Sequence, residues 1–144
     1  MDSLINEITA FAAEFVDTAN ERAGGKLNFS IESLQALDML LSEAHDFAGD
    51  LGEKGIQSIA NEAGSYILLI AKRHFGGEFF WHGEREQPVL VTGQPYFEVS
   101  LLAVEKAKGR IINGNGDNIP FFFDGFVNAV KKGAENPGYR AMIV

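Results

Sequence analysis

Residues 64–81, GSYILLIAKRHFGGEFFW, contain the change of pattern that decides the fold of this chain. Apolar residues recur at helical spacing from Lys54 to Phe75, which predicts a helix that is apolar on most sides and therefore central. Gly76-Gly77 ends this helix, because glycine readily adopts the conformation in which helices terminate. The aromatic run 78–82 then predicts a strand. A central helix that leads directly into a sheet is thus expected.

Two amphipathic helices are predicted before this stretch. In residues 3–23 and 30–48, apolar residues recur in steps of three and four, opposite a polar face. Ser30 is suited to cap the second helix, and residues 49–52 form the loop after it. Gly64, in the middle of the third helix, predicts a close approach of another backbone.

The part of the chain after residue 82 predicts a mixture of elements. A strand at 88–92 pairs with 78–82 in a hairpin, and helical spacing returns over 99–112, although Phe97 could belong to a strand. Residues 113–118 form a loop, from which Asp117 or Asn118 caps a final helix. Residues 139–144 are expected to form a strand that joins the hairpin.

These elements predict one α+β domain over residues 1–144. It contains three N-terminal helices, a short antiparallel sheet, two further helices and a C-terminal strand. The absence of cysteine excludes disulfides and thiolate sites. Neither a signal peptide nor an apolar run near 20 residues is present, so a soluble, cytoplasmic protein is expected.

The charge is distributed unevenly along the chain. Residues 1–64 carry twelve acidic and three basic residues, whereas residues 65–144 carry eight acidic and nine basic residues. A field of one sign on one half disfavours nucleic acid and anionic membranes and favours a basic protein partner. The acids on the polar faces of the first two helices are the predicted partner-binding residues. They are Glu7, Glu14, Asp17, Glu21, Asp38 and Asp46.

Motifs for catalysis, cofactors or metals are not found in the sequence. The loop 113–118 lacks the lysine of a P-loop and the terminal glutamate of an EF-hand. The histidines do not form H-E-x-x-H, and Ser65 lies in a helical pattern rather than in G-x-S-x-G. No catalytic residue, cofactor or metal is therefore expected.

Two alternatives to partner binding remain open. The first is a small-ligand site or an enzyme with a cleft near Trp81, His82, Glu84 and Glu86. Residues 79–81 are expected mainly in the core, although an exposed tryptophan would be a binding anchor. The second alternative is a structural adaptor that forms a homodimer through an apolar helical face.

The decisive stretch also carries a family resemblance. In residues 64–81 a Gly-x-Tyr helix reaches basic residues, a Gly-Gly stop and an aromatic strand. This pattern resembles small uncharacterised bacterial α+β proteins, some of which look like immunity proteins of toxin systems. The resemblance implies an acidic, cytoplasmic, non-enzymatic protein that neutralises a basic toxin domain, and it transfers no catalytic residue.

Overall fold

The structure, a computed structural model, describes residues 3–114, 116 and 118–144. It confirms the α+β fold and the predicted order of helices and strands. The elements are α1 Ser3–Ala19, α2 Leu34–Asp46, α3 Ala48–Phe75, β1 Glu78–His82, β2 Gln87–Thr92, β3 Glu98–Leu101, α4 Val104–Asn113, α5 Ile119–Glu135 and β4 Arg140–Ile143.

The strands form one mixed sheet in the order β1-β2-β3-β4. Strands β1 and β2 form the predicted antiparallel hairpin. Strand β3 adds to it in antiparallel, and β4 pairs in parallel with β3 instead of joining the hairpin directly. Strand β3 occupies the start of the predicted helix 99–112. Val99 and Leu101 are buried in alternation along it, and four residues are too few for such alternation to be told from helical spacing.

The sheet packs its helices on one face. Phe79, Leu90, Leu101 and Ile143 project from that face into the hydrophobic core, which also contains the fully buried segment 63–71 of α3. The opposite face leaves Phe80 and Met142 about half exposed. Helix α3 therefore lies at the centre of the helical layer, as its apolar surface predicts.

The starts of α2 and α3 differ from the predicted ones. Helix α3 begins at Ala48 and so includes the predicted loop 49–52, although Gly52 interrupts it with a φ of 70°. Helix α2 begins only at Leu34. The preceding turn is closed by Ser30 Oγ, which accepts a hydrogen bond from Ser33 N at 3.1 Å.

Gly64 lies where α3 closely approaches the backbone at the start of α4. A Cβ atom at this position would lie 2.6 Å from Val104 Cα. The close backbone approach predicted at Gly64 is therefore confirmed.

Tyr66 attaches the loop before α2 to the central helix. Its buried hydroxyl accepts a hydrogen bond from Phe29 N at 2.9 Å and lies 2.7 Å from Ser33 Oγ. Its ring stacks on Phe29 with a centroid distance of 4.6 Å. The Gly-x-Tyr pattern thus has a structural role here.

Asp38 does not lie on an exposed face, and its prediction as an exposed partner-binding residue is wrong. Only 8% exposed, it pairs with Arg110 through bonds of 2.9 Å from Nε and 3.1 Å from Nη2. It also accepts a hydrogen bond from Ile119 N at 2.9 Å. Asp38 therefore joins α2 to α4 and α5 instead of facing solvent.

The predicted loop 113–118 is described only in part, since residues 115 and 117 lie outside the described residues. Asn118 caps α5, as predicted, because its Oδ1 accepts a hydrogen bond from Phe121 N at 2.9 Å. The alternative cap, Asp117, is one of the residues not described. Among the described helices, none combines the length and apolarity needed to cross a membrane.

Candidate functional site: an acidic furrow between two helices

Helices α1 and α3 pack against each other, and two surface cavities open beside their contact. One flank is formed by residues 7, 11, 14, 18 and 22, whose spacing of three and four places them on the same side of α1 and of the turn after it. The other flank is formed by α3 residues 57, 61 and 62. We call this surface the α1–α3 furrow.

One end of the furrow opens into a cavity of about 300 Å³ against the hairpin, here named the Trp81 cleft. It combines aromatic walls with carboxylate and amide side chains. The lining residues are Leu4, Glu7, Ile8, Phe11, Gln57, Asn61, Ser65, Trp81, Glu86, Gln87, Pro88 and Val104.

The other end opens into a cavity of about 320 Å³, here named the Phe47 hollow. Its floor is mainly apolar, and an ion pair between Arg22 and Glu43 lies at its edge. The lining residues are Phe15, Thr18, Ala19, Arg22, Leu40, Leu41, Glu43, Ala44, Phe47, Leu51, Ile59 and Glu62.

Two carboxylates of this surface, Glu14 of α1 and Glu62 of α3, influence each other electrostatically. Partial burial, and secondarily the negative charge of Glu14, raise the pKa of Glu62 above its ordinary value. Within the described part of the chain, neither carboxylate has a basic side chain within ion-pair distance. The furrow therefore presents negative charge that the chain does not neutralise locally.

The remaining predicted partner-binding acids are divided between this furrow and other surfaces. Glu7 and Glu14 belong to the furrow. Glu21 is exposed just beyond α1, and Asp46 is exposed at the end of α2. Asp17 lies on the opposite flank of α1, in a shallow hollow with Phe29 and Arg73.

The predicted ligand-binding group is only partly brought together. Trp81 and Glu86 line the cleft, whereas His82 and Glu84 do not. By strand alternation His82 projects from the opposite face of the sheet, and its Nδ1 accepts a hydrogen bond from Arg85 N at 3.2 Å. Trp81 is 57% exposed and Phe80 47% exposed, so the expectation that these aromatics lie in the core is wrong for both, although Phe79 does pack against it.

Sequence reasoning missed the contribution of α3 to this surface. Gln57, Asn61 and Ser65 follow one another in steps of four along one side of α3. Such a polar stripe on an otherwise apolar helix indicates a surface or a cavity. Glu62, next to Asn61 in sequence, lines the Phe47 hollow and is the carboxylate that Glu14 influences.

This surface combines negative charge with apolar area. Carboxylates alternate with aromatic and aliphatic side chains along it, and such a surface attracts basic groups while offering apolar contact area. The described residues contain no group of three or more histidine, aspartate or glutamate side chains placed to hold a metal ion.

Comparison of this chain with protein-family models, with curated proteins and with solved structures gave no match. The resemblance to immunity-like proteins therefore stays a prediction.

Proposed function

We propose that this chain is a non-enzymatic binding protein that holds a basic segment of a partner protein in the α1–α3 furrow. The observation that carries the proposal is the Glu14–Glu62 pair. Two neighbouring carboxylates, one of them partly desolvated, repel each other in the free protein. A lysine or arginine placed between them would relieve that repulsion.

The apolar floor of the Phe47 hollow supports an amphipathic occupant. Phe47 is more than half exposed, and Leu40, Leu51 and Ile59 line the same hollow. A helix with one apolar face binds such grooves through residues spaced three and four apart. The partner segment in this proposal is therefore basic on one face and apolar on the other.

The length of the furrow limits the size of this segment. Glu7 and Arg22 mark the extent of the α1 flank. At a rise of about 1.5 Å per residue this flank spans roughly 22 Å, the length of a helix of about 15 residues.

The net charge of the chain supports the same kind of partner. The chain carries a formal net charge of −8, and the excess of acids lies in residues 1–64. Long-range attraction would accelerate encounter with a basic protein, whereas buried contacts would limit dissociation. A bacterial toxin domain neutralised in the cytoplasm is the partner class that we propose.

A labelled peptide tests the proposal directly. The probe is a fluorescent 15-residue helical peptide with lysine on one face and leucine on the other, mixed with the protein in stopped-flow anisotropy at several salt concentrations. The double variant Glu14→Gln/Glu62→Gln should bind about tenfold more weakly, associate more slowly and depend less on salt, because two attracting charges are gone.

The matched control removes two acids outside the furrow. Asp124→Asn/Glu135→Gln changes the net charge equally on exposed positions of α5. This control should bind the peptide within about twofold of the parent protein. Equal losses in both double variants would show that only net charge matters and would refute the furrow as the binding site.

A further inference from the structure

We infer that the Trp81 cleft is a recognition site for a primary ammonium group on an alkyl chain. The lining brings together side chains from α1, α3, the hairpin and the start of α4. Its two carboxylates, Glu7 and Glu86, form no ion pair or hydrogen bond with other described residues. They thus leave negative charge at a cavity with aromatic walls.

A buried hydroxyl at this cavity is an independent sign of a ligand. Ser65 is 1% exposed, yet its hydroxyl has no hydrogen-bond partner in the described part of the chain. Among the described residues, no side-chain oxygen is both inaccessible to solvent and without a hydrogen bond, so Ser65 Oγ must retain some accessible surface. Ser65 Oγ therefore reaches the cavity and is free to accept a hydrogen bond from an occupant.

The amide oxygens of the cleft already accept hydrogen bonds from other residues. Gln57 Oε1 accepts a hydrogen bond from Lys108 Nζ at 3.0 Å, and Gln57 Nε2 donates to Asn61 Oδ1 at 2.9 Å. Gln87 is engaged through both ends of its amide by Glu105. The side-chain acceptors of the cleft that make no hydrogen bond with other described residues are the two carboxylates and Ser65 Oγ, and this set favours a cationic N–H donor.

The aromatic wall favours the same class of ligand. Trp81 is half exposed, and Phe11 lines the cavity with it. Tryptophan is the aromatic side chain that attracts cations most strongly, and its ring also covers the methylene groups of an alkyl chain. Lys108 donates a hydrogen bond to Gln57 but does not belong to the cleft lining.

This inference deepens the proposed function and depends on it only for the source of the ammonium group. That source is either a lysine side chain of the partner or a free amine. Both present the same chemistry to the cleft.

Intrinsic fluorescence tests the site, because Trp81 is the only tryptophan of the chain. Titration with n-butylammonium chloride should change the fluorescence in a saturable way, with a dissociation constant on the order of millimolar for so small a ligand. Neutral 1-butanol should bind at least about tenfold more weakly, since it lacks the charge.

Matched variants locate the binding. Glu86→Gln and Ser65→Ala should each weaken n-butylammonium binding severalfold, whereas Glu84→Gln should not, because Glu84 lies in the same hairpin turn but outside the cleft lining. Equal binding of 1-butanol, an equal effect of Glu84→Gln, or the lack of any saturable change would overturn the inference. Far-ultraviolet circular dichroism confirms that each variant is folded.

A second titration distinguishes the two sources. Tighter binding of N-acetyl-lysine methylamide than of n-butylammonium would support a lysine of the partner, and the reverse order would support a free amine. Because this assay contains no peptide, its failure would leave binding along the rest of the furrow intact. Failure of the helical peptide to bind would equally leave the ammonium site intact.

Discussion

Glu62 shows how a single side chain can connect stability to binding. It lies between the apolar Phe47 hollow and the carboxylate of Glu14, so desolvation and like charge both disfavour its ionised form. Folding therefore carries a cost at neutral pH that a bound cation would remove. Side chains of this kind mark functional surfaces more often than ordinary solvated acids do.

Glu62→Gln should stabilise the protein at neutral pH by less than about 1 kcal/mol, since solvent screens a partly exposed group. The pKa of Glu62 is raised in the folded state, so the unfolded chain loses this proton at lower pH than the folded chain does. Stability conferred by protonated Glu62 is thus lost as pH rises from the ordinary value of 4.5 through the raised folded pKa.

Urea unfolding at pH 7 and at pH 3.5 measures this effect. The advantage of Glu62→Gln should be present at pH 7 and should vanish at pH 3.5, where Glu62 is protonated in both states. Glu53→Gln, an exposed change on the same helix, should have little effect at either pH. A Glu62→Gln variant that is less stable than the parent at pH 7 would contradict this account.

At the scale of elements, the crossing of α3 and α4 positions the floor of the Trp81 cleft. Gly64 lets Val104 approach the central helix, and Val104 lines the cleft together with Ser65. The glycine lowers intrinsic helix stability by about 1 kcal/mol relative to alanine. Close packing of the two backbones offsets this loss.

Two glycine substitutions within helices should have opposite effects. Gly64→Ala should lower the free energy of unfolding by about 1–3 kcal/mol, because the new methyl group would overlap Val104. Gly125→Ala on α5 meets no neighbouring atom within 4 Å and should raise stability by about 0.5–1 kcal/mol. Thermal denaturation of both variants measures the contrast, and stabilisation by Gly64→Ala would show that the helices do not approach as described.

Helices and strands were predicted correctly from the sequence where a single hydrophobic spacing dominated the segment. The hairpin strands were predicted to within one residue, because aromatic and β-branched runs differ clearly from helical spacing. The central helix was predicted to its end at Phe75, whereas its start lies at Ala48 instead of Lys54. Strand β3 was missed because its four residues fit both patterns. Its parallel pairing with β4 is a long-range choice that no local pattern encodes.

At the scale of the whole molecule, the acidic first half and the nearly neutral second half are joined by a buried ion pair. Asp38 of α2 lies 72 positions from Arg110 of α4, and it also binds the first backbone N–H of α5. A buried pair of this kind needs both partners, because a single remaining charge would be poorly solvated. It therefore couples the two halves during unfolding.

Asp38→Asn should destabilise the protein by about 3–5 kcal/mol, since it removes the carboxylate charge from a buried pair with Arg110 and weakens the acceptor of the Ile119 N–H. Asp46→Asn, at the exposed end of the same helix, should change stability by less than about 0.5 kcal/mol. Chemical denaturation followed by Trp81 fluorescence and by circular dichroism gives both values. Coincident transitions would support a single domain, and separate transitions of the two halves would refute it.

Local patterns in the chain were sufficient for the helices, the hairpin, the α+β class and the excess of acids on α1, because each depends on residues near one another in sequence. The α1–α3 furrow and the Trp81 cleft depend instead on which helix flanks meet. Folding buried Asp38 against a distant arginine and brought Glu62 under the influence of Glu14. Side-chain convergence across long sequence separations is a property of packing, so no local periodicity encodes it.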